Sequence, residues 1–371
     1  GQVAFGVARV LAPEPPGDTR PRLVVLVVND AMRADILGGG DAPALDRLAA
    51  EGAVYLDALS PGAHTIAAVP ALLSGRDLMR IDPAARLDPV SRHRSIASLE
   101  QVEARPNLFL PQLAEAGGYA TLFVGNNVYL AQSPLFGRVV VRGSPLTGTV
   151  DSAQALGGQL ARFPGERLLL VYYITATHTK AAVPRRLLAG RGCEGLAEID
   201  LTRCHYGARV AHGDEGLAAL VSGLEQMGLR QSALLAVTSD HGEAFHDGWQ
   251  VEGQSWRWGP LDEAHGFSLS TRTLRVPLVL SGPGVPRLRS QDPVSTLDLV
   301  PTLAHLLRLP RVNAWDGTLL PGFGQANNLG NGYISIQPTA IPEVGQITCG
   351  LLVLVCAALP RLLRSRSLRE G

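Results

Sequence analysis

"RLVVLVVND", residues 22–30, is an unbroken β-branched run that stops at an acid. A strand buried on both faces of a parallel sheet reads as continuous rather than alternating hydrophobics, so this stretch predicts such a strand. Four further runs have the same character: "ATLFVGNN" (120–127), "RLLLVYYIT" (167–175), "SALLAVTSD" (232–240) and "RVPLVLSGPG" (275–284). Helical spacing of apolar residues falls between them, over 42–52, 107–118, 214–228 and 296–309. Strands alternating with helices define an α/β protein whose mainly parallel sheet is sandwiched between helices. In such sheets functional groups collect beyond the carboxyl ends of the strands. Two of the runs end in Asp30 and Asp240, so that edge is where a site is expected.

With 371 residues, the chain can bury a full core. Its 33 basic and 33 acidic residues cancel, which excludes the basic footprint of a nucleic-acid-binding protein. "APEPPGDTRPR" (12–22) is Pro-rich and polar, so residues 1–22 read as a linker, 23–330 as the main domain and 331–346 as a second linker. The chain starts with Gly, from which a processed or fragmentary N-terminus is expected. Residues 347–371 form an apolar, Arg-flanked tail. Its uncharged stretch "ITCGLLVLVCAAL" (347–359) is shorter than the roughly 20 residues of a full span. The tail reads either as a docked terminal helix or as a membrane anchor with its arginines on the cytoplasmic side. Cys349 and Cys356 lie on one face of it as small hydrophobes. Cys193 and Cys204 lie in a polar segment and are either two reduced surface thiols or a bonded pair closing a short loop, the latter implying an oxidising compartment.

The densest stretch for chemistry is "TSDHGEAFHDG" (238–248). An adjacent Asp240–His241 pair at a strand end offers two ligands to one divalent cation. Company strengthens the reading: Asp30 opens a D-x-x-R with Arg33, His178 follows a strand in "TATHTK" (175–180), and His265 opens a second His-Gly before a strand. Glu243 is expected behind the ligands, and Asn29 beside Asp30 as polar support. His64, His212 and His246 read as ordinary loop or helix-surface histidines.

These segments together resemble the sulfatase branch of the alkaline phosphatase superfamily. "VVLVVNDAMRADIL" is similar to the family's opening metal-binding strand, and "SDHGE" to its second metal segment. "HGFSLSTRTLRVPLVLSGPG" resembles its later His-Gly segment, and "STLDLVPTLAHLLRLP" with "WDGTLLP" its closing helix and turn. The resemblance runs from about Leu23 to Leu320. It implies an alkaline-phosphatase-like fold and a metal-dependent phosphotransferase or hydrolase. The implied metal is zinc, or else Mn, Ca or Mg, on Asp30, Thr65, Asp240 and His241.

The branches of that family divide at "GAHTIAAVPALLSG" (62–75). Read from its own residues, this is a loop entering a buried helix, with Thr65 as a candidate N-cap. Sulfatases carry Cys or Ser two residues before a proline and oxidise it to formylglycine; Ala68 stands there, before Pro70. Phosphoethanolamine transferases use a threonine five residues before the corresponding proline, which is the spacing of Thr65. "THTKAAVPRR" (177–186) resembles their substrate-binding segment, Cys193 to Cys204 their periplasmic disulfide, and "CHYGARVAHGDEGL" (204–217) one of their helices, keeping Tyr206 and Asp214. By that resemblance Thr65 is the nucleophile, and His178 and His265 bind substrate and serve catalysis.

Three functions are expected in turn. The first transfers a phosphorylated alcohol, such as phosphoethanolamine or phosphoglycerol, onto a phospholipid or glycan on the extracytoplasmic, periplasmic face. The second hydrolyses phosphate or sulfate esters. The third is a non-catalytic subunit with a membrane-complex partner, favoured by the missing N-terminal membrane helices that the transferases carry.

Overall fold

The computed structural model describes residues 19–77, 109–131, 133–141, 166–178, 181–245, 249–251, 254–256, 269–310 and 315–324, with the single residues 81, 160, 265 and 312. The expected linker of residues 331–346, the apolar tail with Cys349 and Cys356, and His246 lie outside them. No helix among the described residues is long and apolar enough to cross a membrane.

The strands are β1 (Leu23–Asn29), β2 (Ala53–Leu59), β3 (Tyr119–Gly125), β4 (Arg138–Val141), β5 (Arg167–Ile174) and β6 (Ala233–Ser239). They are followed by β7 (Trp249–Val251), β8 (Gln254–Trp256), β9 (Arg275–Ser281), β10 (Leu288–Ser290) and β11 (Val294–Ser295). The main helices are α1 (Pro43–Glu51), α2 (Thr65–Ser74), α3 (Leu110–Ala116), α4 (Glu198–Gln226) and α5 (Leu299–Leu306). Strands β7 and β8 pair antiparallel as a separate hairpin.

The large sheet runs β10-β2-β9-β6-β1-β5-β3-β4, with β11 also on β2. Strand β1 is central and parallel to both neighbours, with Leu23 opposite Leu168 and Ala233. All seven of its residues are buried, which is why its sequence does not alternate. Alternate side chains still sort to opposite faces. Val24, Leu26 and Val28 join α2, α3 and α5 in one core, while Leu23, Val25 and Val27 join α1 and α4 in the other. The mainly parallel expectation holds, with one exception in the middle: β9 runs antiparallel to both β6 and β2.

Several expected boundaries move. The helix expected over 214–228 is the end of the 29-residue α4, which also carries Cys204. Cys193 and Cys204 form a disulfide with Cα atoms 5.7 Å apart, fastening that helix to the loop before it. The helix expected over 296–309 opens as a 3-10 turn, Thr296–Asp298, before α5. Pro70 sits inside α2 without ending it, although it lacks the N–H that would bond the Ile66 carbonyl.

Asp214, which the sequence marks only by resemblance, acts in the fold. Its carboxylate on α4 accepts from Ala44 N at 2.8 Å and Leu45 N at 3.0 Å, capping α1, whose own N-cap residue Ala42 has no side-chain bond to give. Asp214→Ala strips two buried donors of their partner and should cost about 1–3 kcal/mol in urea unfolding. An unchanged midpoint would mean that solvent satisfies those groups instead.

Candidate active site

The site forms beyond the carboxyl ends of β1, β5 and β6, where doubly wound sheets leave a crevice. Asp30 leaves β1, its N–H donating to Ile174 O at 2.8 Å, and Asp240 leaves β6, donating to Asn29 O at 3.2 Å. Between the two strand ends, the Ser239 hydroxyl lies within reach of two carbonyls, Asn29 O and His241 O, shares its one proton between them, and accepts from Met32 N at 2.8 Å. Backbone and hydroxyl thus fix two acids and a histidine before any ligand arrives. The glycine of "DHG" serves close approach rather than a turn: a Cβ on Gly242 would lie 2.1 Å from Arg272 O.

Asp30, Thr65, Asp240 and His241 meet, all nearly or wholly buried. His241 Nε2 lies 3.2 Å from Thr65 Oγ1, 3.5 Å from Asp240 Oδ2 and 3.7 Å from Asp30 Oδ1. Its Nδ1–H donates to Gly242 O at 2.8 Å. That bond sets the tautomer and leaves the Nε2 lone pair facing the acids, as a metal ligand requires. Burial pushes the His241 pKa down, keeping the ring neutral. Asp240 Oδ1 accepts from Ala31 N and His241 N, and its Oδ2 accepts from Tyr173 OH at 2.8 Å.

Asp30 Oδ1 is buried with no hydrogen-bond partner. Burial pushes its carboxyl well above the usual range, and the nearby charges of Asp240 and Glu243 push the same way. Buried acids are ordinarily paired or metal-bound. Ligand atoms of Asp30, Asp240 and His241 lie within 4.8 Å of one another, as do those of Asp30, His178 and His265. An orphaned buried oxygen among oxygen and imidazole donors fits a divalent cation.

His178 and His265 stand beside this cluster, both half-buried. The His265 ring lies 4.1 Å from that of His241 and 4.9 Å, edge-on, from that of His178. His265 Nδ1 is 3.0 Å from Glu243 Oε2. Glu243 is fully buried, and burial pushes its pKa up to about 8. It stands behind His265, as the sequence suggested, and its carbonyl accepts from Arg33 at 3.2 Å. Arg33 itself pairs with Asp35 and lies over the Phe245 ring. Asn29, beside Asp30, donates to Thr238 O across the sheet.

Ala31 adopts φ 62°, in the left-handed region that a non-glycine residue rarely occupies. Tyr206 OH donates to its carbonyl at 2.9 Å and accepts from Arg33 N at 2.8 Å, holding the turn that presents Asp30. Such strain persists where surrounding bonds over-determine it, commonly at functional sites.

The sequence misassigned two residues and passed over a third. Thr65 is the first residue of α2 and not its N-cap; the cap is His64, whose ring nitrogen Nδ1 accepts from Ile66 N at 3.2 Å. His64 is no ordinary loop histidine, since its ring lies 5.8 Å from that of His265 and 6.3 Å from that of His241. Tyr173 went unread, although a tyrosine in a fully buried strand must find a partner for its hydroxyl, and that partner is Asp240. His212 lies on α4 beside Glu215, in keeping with a helix-surface role.

A sheet of this order, with acids and histidines gathered at one strand edge, defines an alkaline-phosphatase-like fold, and similarity to known proteins points the same way. Residues 154–309 match the family model described as Sulfatase. Arylsulfatase K of Bos taurus is 30% identical over 126 residues, covering 33% of this chain and 21% of that protein; the chain therefore spans about a fifth of the curated relatives it matches. The C-terminal periplasmic domain of EcEptC from Escherichia coli superimposes with a TM-score of 0.58 at 16% identity, covering 85% of this chain and 91% of that one. The phosphonate monoester hydrolase of Agrobacterium radiobacter does so at 0.57 and 17%, covering 82% and 77%. Over residues 154–309 the chain is similar to the sulfatase family model, and the structural neighbours share its alkaline-phosphatase-like fold.

Proposed function

We propose that this chain is a metal-dependent transferase that moves a phosphorylated alcohol, of the phosphoethanolamine or phosphoglycerol kind, through a covalent phosphothreonine at Thr65. The observation that carries this reading is the position of Thr65 Oγ1, a hydroxyl at a helix N-terminus 3.2 Å from His241 Nε2 and beside the acids. Asp30, Asp240 and His241 would hold the cation, zinc by preference. When bound, it supplies positive charge that lowers the pKa of an adjacent hydroxyl. The threonine proton is released to solvent, and Oγ1 forms the bond to phosphorus as the bond to the leaving oxygen breaks. His265, backed by Glu243, gives the leaving oxygen its proton, and His178 hydrogen-bonds a non-bridging oxygen. Attack on phosphorus by an acceptor hydroxyl, on a phospholipid or glycan, then frees Thr65. The positive end of the α2 dipole favours the anion carried there.

The Cys193–Cys204 disulfide supports an extracytoplasmic location, since such bonds persist in oxidising compartments. Membrane association is part of the same proposal and rests on the apolar tail. Incubation with a phosphoester donor, acid quench and peptide mass spectrometry should place the donor's phosphoryl group on Thr65; label found on no peptide would count against covalent transfer. Ester hydrolysis is the second reading, favoured by the similarity to arylsulfatase K. In that case water replaces the acceptor hydroxyl at the same site.

A further inference from the structure

We propose that His64 is a further catalytic residue, which donates a hydrogen bond from Nε2–H to a non-bridging oxygen of the tetrahedral anion on Thr65. The assignment rests on the reading of Thr65 as nucleophile. It begins from a tautomer. Nδ1 of His64 accepts the Ile66 N–H, so in the neutral ring the proton sits on Nε2 and that nitrogen is a donor. His241 is set the opposite way: it spends Nδ1–H on Gly242 O and presents a bare Nε2 when neutral. The capping bond therefore makes His64 a donor without needing a second proton.

Its place matches that chemistry. His64 immediately precedes Thr65, so the cap that starts α2 also fixes the ring beside the nucleophile. The ring lies nearly parallel to that of His241, at 19°, and 5.8 Å from that of His265. A phosphoryl or sulfuryl group on Thr65 Oγ1 carries three further oxygens, and a preset donor in a water-poor site stabilises developing charge there without reorganisation.

The test separates capping from anion binding. Asparagine is among the best N-cap residues, so His64→Asn keeps an acceptor for Ile66 N–H while removing the reach of Nε2. Calorimetric titration with inorganic phosphate would be run on full-length, zinc-loaded protein carrying Thr65→Ala, with and without His64→Asn. The expected result is about tenfold weaker phosphate binding in the double variant, with a thermal midpoint matching that of Thr65→Ala. In the Thr65 background, His64→Asn should lower kcat/KM by about 10–100-fold. Unchanged phosphate affinity and turnover in the His64 variants would overturn the assignment and leave the Thr65 reading standing. Failure of zinc-loaded Thr65→Ala to bind phosphate at all would overturn the anion site itself, and His64 with it.

Discussion

Replacing Thr65 by alanine should leave a folded protein that still binds its cation but turns over about 10⁴-fold more slowly or worse, the scale on which removal of a nucleophile acts. The fold should tolerate the change. Thr65 is the first residue of α2, its backbone cap comes from His64, and alanine is the better helix former. The metal set should tolerate it too, because Asp30, Asp240 and His241 come from other elements and are placed by backbone and Ser239 bonds, with the Thr65 hydroxyl only one contact among several. Thr65→Ser, which keeps the hydroxyl, should retain measurable turnover. Metal content by elemental analysis and steady-state kinetics on the same preparation decide the matter. Full activity with alanine at this position would end the covalent mechanism.

Asp30→Asn should produce two effects of opposite sign. Loaded with zinc, the protein should lose at least about 100-fold in metal affinity and with it nearly all activity, since one charged ligand is gone. Stripped by a chelator, the same variant should melt higher than the similarly stripped parent. Asp30 Oδ1 has no partner, and burial together with the charges of Asp240 and Glu243 disfavours its ionised form. A carboxyl whose folded pKa is raised contributes fully below its unfolded value, near 4, and loses that contribution as pH rises toward the folded one. The metal-free parent should therefore fall further behind Asp30→Asn at pH 8 than at pH 5, and added zinc should rescue the parent. Equal melting of the two stripped proteins at both pH values would mean that the buried Asp30 carboxyl is not the cation-seeking group described above.

Much of the fold was legible because its central strands carry their burial in their composition. The continuous runs of β1, β5 and β6 announce a parallel core, and the acids that end β1 and β6 mark the working edge. Strand β2 was not legible. "AVYLDAL" buries its first three residues and Ala58 with no regular alternation, and what makes it a strand is antiparallel pairing to β9, with a register shift between Tyr55 and Ala58. The antiparallel course of β9 has no local signature either. At the site, Asp30, Asp240 and His241 were readable from position at strand ends. His64 and Tyr173 were not, because their meaning lies in contacts made by chain far away: rings of His241 and His265 for the one, a carboxylate 67 residues distant for the other. The length of α4 was hidden because glycines such as Gly207 and Gly213 interrupt its apolar periodicity.

The middle place of β1 has a consequence for how the chain is born. It leaves the ribosome before either of its partners, β5 and β6, apolar but for Asn29, and Asn29 bonds Thr238 across 209 residues of sequence. Until β5 and β6 have been made, both edges of this strand stay open to mispairing. Closure of the sheet must wait on long-range loops, which makes assembly slow. The polypeptide therefore gains from being guarded by chaperones or exported before it folds, and the strand that anchors the site is also the segment most exposed to aggregation during synthesis.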